Sequence, residues 1–311
     1  MTDTHPTDTQ PTAPRAGLAA VAGPDGTLAI VAMDQRNTLR RMLTAVGRPT
    51  EPGELRSFKT DVVEALSPAA SAVLLDPEFG VPAVREAGVM AAGCATLVAV
   101  EPAERDTWSG EPRARRDPER TASWVREIGG DAVKLLVQLR PDRPHRPGEP
   151  DLVAEVVQVV RAVVDDCAAA GVPSVVETLL YRLPGEDPLP DRRRADLIVE
   201  SARILTETQP DLLKLEYPVD SKGCAAVGGA VTVPWAMLSA GMPFPAFLEA
   251  VATSCDHGGA SGFIAGRVYW QEAVAMTGAA RKEFLSTVGR PRLEQSIAAM
   301  AGRAQPWDQA S

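Results

Sequence analysis

From position 28 onward, apolar residues come in short runs separated by longer stretches in which they recur every three or four positions. This is the alternation of buried strands with covering helices. The runs predict strands over 28–33, 72–75, 96–100, 133–139, 173–177, 211–216, 233–239 and 262–265. Eight such runs are what a closed (β/α)8 TIM barrel requires, although an open doubly wound sheet shows the same alternation. Between them, Leu152, Val153, Val156, Val157, Val160, Val163, Val164 and Cys167 fall on one helical stripe, with Gly171 as the left-handed stop and Pro173 opening the next strand. Leu55, Phe58, Val62 and Leu66 repeat in the same way before Ser67 and Pro68 end the segment.

Two connections rich in Arg and Pro, 113–120 and 140–150, read as exposed loops rather than linkers, because the strand–helix rhythm resumes after each. The expected organisation is therefore one barrel domain over 17–311, with an appended, exposed C-terminal helix from about Arg281 to Met300. Residues 1–16 form a Thr, Pro and Asp tract with nothing to pack, and read as a disordered tail.

Composition narrows the partners. At 311 residues and 45% apolar content the chain can bury a large core. A formal charge of -9 argues against nucleic acid or an anionic membrane surface, both of which repel an acidic protein. A small anionic substrate stays possible if Lys and Arg cluster locally. No apolar stretch reaches membrane-spanning length, the N-terminus lacks the basic and apolar regions of a secretory signal, and the four cysteines form no CxxC pair. A cytoplasmic location is expected. The three histidines are far apart and no G-x-S-x-G occurs, so neither a metal site nor a serine triad has candidates, and no cofactor is expected.

In a parallel barrel the strand ends face the active site, so polar residues there are the first to examine. They are Asp34, Asp76, Lys134, Glu177, Lys214, Ser239 and Arg267. Lys214 sits among leucines in Asp211-Leu-Leu-Lys-Leu-Glu-Tyr-Pro, where desolvation favours the neutral amine that attacks a ketone. A structural ion pair with Glu216, two residues on, is an equal alternative. Lys134 repeats the anomaly, and two buried lysines imply a shared anion or a shared catalytic centre in which each cation depresses the other's pKa. Glu177 is placed to shuttle protons. Asp34 holds a substrate hydroxyl or caps the helix that follows, and Asp76, ahead of Pro77, is more readily a turn residue. Ser239-Ala-Gly241 and Gly266-Arg267 follow the last two strands, the usual phosphate cradle of this fold; each alone reads more readily as a turn or an exposed Arg, but their joint occurrence favours a phosphate site.

With these residues in view, the chain resembles the tagatose 1,6-bisphosphate aldolase family and the related 6-deoxy-6-sulfofructose-1-phosphate aldolases. The shared motifs are Met33-Asp-Gln-Arg, Val73-Leu-Leu-Asp-Pro-Glu-Phe-Gly, Ala132-Val-Lys-Leu-Leu-Val, Asp211-Leu-Leu-Lys-Leu-Glu-Tyr-Pro, Pro234-Trp-Ala-Met-Leu-Ser-Ala-Gly and Gly262-Phe-Ile-Ala-Gly-Arg. The resemblance implies a metal-independent class I lyase in which Lys214 is the Schiff-base lysine, Glu177 the acid/base, Lys134 a neighbouring cation and Asp34 a substrate-contacting carboxylate. It implies that Ser239, Gly241, Gly266 and Arg267 hold a phosphate, and that a ketose (bis)phosphate is cleaved to dihydroxyacetone phosphate and an aldehyde. Glu177-Thr-Leu-Leu-Tyr-Arg-Leu-Pro and the 140–150 loop depart from the family pattern, at the places expected to meet the far end of the substrate. The rival readings are a sugar-phosphate isomerase or epimerase on the same barrel, and a non-catalytic sugar-phosphate sensor. The expected partner is a small sugar phosphate, and a homo-oligomer is expected from the apolar helix faces.

Overall fold

The computed structural model describes residues 17–310, so the tail expected over 1–16 lies outside the described residues. Eight parallel strands close into a barrel. They are β1 (Leu28–Met33), β2 (Ala72–Leu75), β3 (Ala95–Ala99), β6 (Ala132–Leu139), β7 (Ser174–Leu180), β8 (Leu212–Glu216), β9 (Trp235–Leu238) and β10 (Gly262–Ala265), with β1 pairing both β2 and β10. The expected alternation is therefore that of the closed barrel. The hairpin β4 (Asp106–Trp108) and β5 (Glu111–Arg113) lies between β3 and β6, just ahead of the connection read over 113–120.

Residues two apart on each strand point to the same face. The inward set is Leu28, Ile30 and Ala32 on β1, Ala72 and Leu74 on β2, Ala95, Leu97 and Ala99 on β3, with Ala132, Val175, Leu212, Ala236 and Ile264 from the others. Leu18 and Val21 are fully buried against this set and belong to the same interior core. The outward set packs against a ring of helices: α1 (Asn37–Ala45), α2 (Pro52–Leu66), α3 (Gly80–Ala87), α4 (Ala122–Glu127), α5 (Leu152–Ala170), α6 (Asp191–Thr206), α7 (Ser221–Ala230) and α8 (Phe244–Gly258). In α5 the expected stripe is buried at Leu152, Val156, Val160, Val163, Val164 and Cys167, while Val153 and Val157 at its edges are only partly buried, and Asp151 caps the helix start by accepting from the Ala154 N–H at 3.0 Å. Each buried Val or Leu on such a stripe contributes about 1.5–3 kcal/mol.

Three readings are corrected. β7 runs on past Glu177 to Leu180, because it stays paired with the long β6 up to Leu139. Glu177 is therefore inside a strand, with a more rigid backbone than a loop residue has. The C-terminal segment is not an exposed appendage: it runs from α10 (Gly278–Phe284) through a π-helical turn at Leu285–Gly289 into α11 (Arg290–Met300), with Leu285, Leu293 and Met300 buried. Between α9 (Arg267–Trp270) and α10 lies a short 3-10 turn, Gln271–Ala275.

The Arg-rich connections are not simply exposed either, because their guanidinium groups have carboxylate partners. Arg113 grips Glu155 of α5 with two donors at 2.7 Å, Arg140 reaches Asp142 and Glu186 while only 2% exposed, and Arg143 reaches Glu111 and Glu149.

Asp76 confirms its reading as a turn residue. Its carboxylate accepts from the N–H groups of Glu78, Phe79 and Gly80, opening α3. It also pairs at 2.7 Å with Lys59 of α2, and both side chains are fully buried. Lys59 in addition donates to the carbonyls of Met33 and Gln35, at 2.7 and 2.9 Å, so it fixes the chain just where β1 delivers Asp34. Burial pulls the Lys59 ammonium below its ordinary value, and Asp76 only partly restores it. Lys59→Met, which leaves the Asp76 charge buried without its cation, is expected to destabilise the fold by about 3–5 kcal/mol. Urea denaturation measures this, and an unchanged midpoint would show that the pair does not anchor the strand.

Candidate active site

The inward positions of the barrel change character at its C-terminal mouth. Continuing by twos, Ala32 leads to Asp34, Ala99 to Glu101, Ala132 to Lys134, Val175 to Glu177 and Leu212 to Lys214. Alanines beneath three of these five positions leave room for long charged chains above. Glu177 and Lys214 face each other directly across β7 and β8, and Lys134 is in register with Val175, two residues before Glu177. The strand register alone therefore brings both lysines to one carboxylate.

Lys134 is the centre. Its Nζ donates to Asp34 Oδ2 and Glu101 Oε1, both at 2.8 Å, and pairs with Glu177 Oε2 at 2.9 Å. Lys214 Nζ donates to the same Glu177 oxygen at 3.0 Å. The other oxygen of Glu101 accepts from the Leu136 N–H at 3.1 Å. Three carboxylates against two ammonium groups leave one negative charge in a group of side chains that are almost wholly buried.

These five side chains form the floor of a cleft of about 630 Å³, whose walls include Gln35, Arg36, Arg41, Arg105 and Arg267. The arginines differ in their surroundings. Arg36 is paired with Glu78 at 2.9 Å and donates to the Glu101 carbonyl. Among the described residues, Arg41, Arg105 and Arg267 have no carboxylate within ion-pair distance. Gln35 Oε1 is buried with no hydrogen-bond partner among the described residues.

Asp34, Lys134, Glu177, Lys214 and Arg267, all expected at the site, are brought to this cleft. Ser239, Gly241 and Gly266 do not line it. Ser239 is buried after β9 and its carbonyl accepts from the Met242 N–H, closing a turn in which Ala240 and Gly241 have φ of 48° and 83°. At Gly241 an added Cβ would lie 3.1 Å from the Arg267 guanidinium, so this glycine gives Arg267 its space. At Gly266 it would lie 2.0 Å from the Ala32 carbonyl oxygen, so close packing of backbone against backbone already demands glycine there.

Two alternatives are removed. Asp34 does not cap α1, which has no side-chain cap, because its carboxylate is engaged by Lys134. Glu216 is not the partner of Lys214: it accepts from the Leu180 N–H and pairs with Arg194.

Glu101 was missed, although it directly follows the third apolar run and so occupied a strand-end position like the others. The idea that two lysines depress one another is also corrected for Lys134. Burial pulls its ammonium down, but Asp34, Glu101 and Glu177 more than reverse this and hold it well above its ordinary 10.5.

The sequence pattern of the DeoC/LacD family aldolases matches residues 28–272. The chain is 27% identical to the tagatose 1,6-diphosphate aldolase of Listeria monocytogenes over 325 aligned positions, which cover 94% of this chain and 92% of that protein. Among solved structures it is similar to the fructose-bisphosphate aldolase of Plasmodium falciparum, with a TM-score of 0.67 at 14% identity over 95% of this chain and 99% of that one. A Schiff-base-forming fructose-1,6-bisphosphate aldolase superposes with a TM-score of 0.58 at 16% identity, covering 88% and 97% of the two chains. At such identities the structural likeness bears on the fold.

The charge cluster sets a pH dependence. Burial raises the Asp34 and Glu177 carboxyls, but Lys134 and then Lys214 outweigh it and hold both below their ordinary values of 3.8 and 4.5. A depressed carboxyl contributes stability that is complete above its unfolded value and is lost as pH falls through the lower folded one. For Lys134, raised in the fold, the contribution is complete below 10.5 and is lost as pH climbs through the higher folded value. The stability difference between the wild type and Asp34→Asn should therefore be flat near neutrality and shrink below about pH 4. Urea denaturation across pH tests this; a difference independent of pH would mean that Asp34 is not held ionised by Lys134.

Proposed function

The chain belongs to the DeoC/LacD family of aldolases, which are carbon–carbon lyases, and we propose that it is a class I member in which Lys214 forms an imine with its substrate. The substrate is a ketose phosphate or bisphosphate, of the tagatose 1,6-bisphosphate or sulfofructose 1-phosphate type, and the products are dihydroxyacetone phosphate and an aldehyde. The observation that carries the reading is the 3.0 Å contact between Lys214 Nζ and Glu177 Oε2 on the floor of the cleft. Support for the substrate type comes from the tagatose 1,6-diphosphate aldolase relatives, and support for the imine from the Schiff-base-forming structural neighbour. No metal or cofactor enters the reading.

The chemistry follows the proton inventory. Lys214 must lose a proton to act as nucleophile, and the Glu177 oxygen is the acceptor at hand. The amine adds to the substrate ketone, and a proton delivered to the carbinolamine hydroxyl lets water leave as the iminium forms. The bond between C3 and C4 then breaks. Its electrons pass into the iminium as an enamine, while the C4 hydroxyl gives up its proton and becomes the aldehyde. Protonation of the enamine at C3 and addition of water release dihydroxyacetone phosphate and restore Lys214.

Glu177 moves the protons at nitrogen and at the carbinolamine oxygen, and Asp34 holds a substrate hydroxyl. Lys134 keeps both carboxylates ionised and in place, so its role is to fix Glu177 rather than to neutralise Lys214. Arg267 takes the phosphate next to the carbonyl, which orients the ketone for attack.

Borohydride reduction in the presence of dihydroxyacetone phosphate should attach the three-carbon phosphate to the Lys214 peptide, as read by mass spectrometry, and Lys214→Met should take no label. A folded wild type that stays unlabelled would sink the imine mechanism. Glu177→Gln should lower kcat about 10²–10⁴-fold. Steady-state cleavage assays measure this, and a rate within a few-fold of wild type would remove Glu177 from proton transfer.

A further inference from the structure

Among the described residues, Arg41, Arg105 and Arg267 of the cleft have no carboxylate partner, and Arg105 and Arg267 follow strands that are not neighbours in the barrel. Arg267 follows β10 and Arg105 follows β3, three strands apart round one arc of the closed barrel, while Lys214 on β8 and Lys134 on β6 rise from the opposite arc. Both arginines line the one cleft whose floor carries Lys214 and Lys134, so a substrate with its phosphate at Arg267 and its ketone at Lys214 leaves Arg105 for its far end.

The surroundings of Arg105 are built. It opens the β4–β5 hairpin and donates to Gln138 Oε1, four residues beyond Lys134 on β6. The hairpin is tied to the neighbouring loops by a buried charge cluster. Arg143 Nε donates to both Glu111 oxygens at 3.1 and 2.9 Å, and the Tyr181 hydroxyl donates to Glu111 Oε2 at 2.9 Å. The Arg143 guanidinium also lies 5.3 Å from the centre of the Trp108 ring. Glu111 and the Arg143 side chain are only 6% and 5% exposed. A second tie joins Arg140 to Glu186 and the Tyr181 carbonyl, and Asp142 to Arg193. Three segments at the mouth, after β3, β6 and β7, are thus locked together.

We propose that Arg105 is a specificity-determining residue that binds a second tetrahedral oxyanion, a phosphate or a sulfonate, at the end of the substrate remote from Arg267, and that the Glu111–Arg143–Tyr181 cluster is the latch that positions it. This rests on the imine-aldolase reading of the same cleft. Burial and the bond to Glu111 push the Tyr181 hydroxyl up, so it remains a donor and the latch does not open at neutral pH.

The test compares kcat/KM on tagatose 1-phosphate, tagatose 1,6-bisphosphate and 6-deoxy-6-sulfofructose 1-phosphate. The wild type should prefer a doubly anionic substrate, and the better of the two identifies the oxyanion as phosphate or sulfonate. In Arg105→Met that preference should fall about 10–100-fold, the scale of one or two charge-assisted hydrogen bonds. Arg143→Met should raise KM for the preferred substrate several-fold with little change in kcat, and Arg143→Lys should recover part of the loss. If Arg143→Met fails to fold, Glu111→Gln tests the same latch.

A wild type that treats singly and doubly anionic substrates alike, or an Arg105→Met variant that keeps the preference, overturns the assignment. A latch variant that loses kcat on every substrate equally overturns the positioning role. A wild type labelled on Lys214 by borohydride while Arg105→Met keeps the preference overturns only this inference. One that is neither labelled nor active overturns the imine reading and this inference with it.

Discussion

The ammonium of Lys134, held by Asp34, Glu101 and Glu177, is the interaction on which the mouth of the barrel depends. Charges removed from water cost several kcal/mol each, and attraction offsets that cost only when the geometry satisfies every member. Here four strands, β1, β3, β6 and β7, each bring one member, and the register of β7 against β8 adds Lys214. The arrangement is rigid because its parts are backbone-anchored. It also determines what each group can do: Lys134 stays charged, and Asp34 and Glu177 stay ionised.

That polar layer exists because of the layers beneath it. The interior is filled by side chains from alternate positions, and alanines beneath Asp34, Glu101 and Lys134 leave space for longer neighbours. The same alternation that buries leucines lower down thus presents carboxylates and amines at the top. The outer wall is governed by a different constraint, the pairing of arginines with carboxylates across loops. Arg113, Arg140 and Arg143 turn stretches that resemble open loops into a fixed wall, while Arg41, Arg105 and Arg267 keep their charge available to the cleft.

Not every buried lysine signals chemistry, and Lys59 shows the difference. It lies on the buried stripe of α2, pairs with Asp76 and supports the backbone before and after Asp34. Lys134 and Lys214 differ because they point into the barrel at its C-terminal mouth. A sequence reveals the period of a strand, and hence its faces, but not which charged neighbours from distant strands will share a face. Glu101 was passed over for this reason: its position was visible, but its reason for being there, Lys134, is 33 residues away.

The strand–helix rhythm, the eight strands and the five charged positions at their ends were all present in the order of residues, because alternation and helical period are local properties. Barrel closure, which joins β1 to β10, was decided only by the tertiary structure, since an open sheet has the same local pattern. So were the choice of Glu177 over Glu216 as the partner of Lys214 and the raising of Lys134. Each depends on distances between residues far apart in the chain, and electrostatic energies follow those distances and the burial around them.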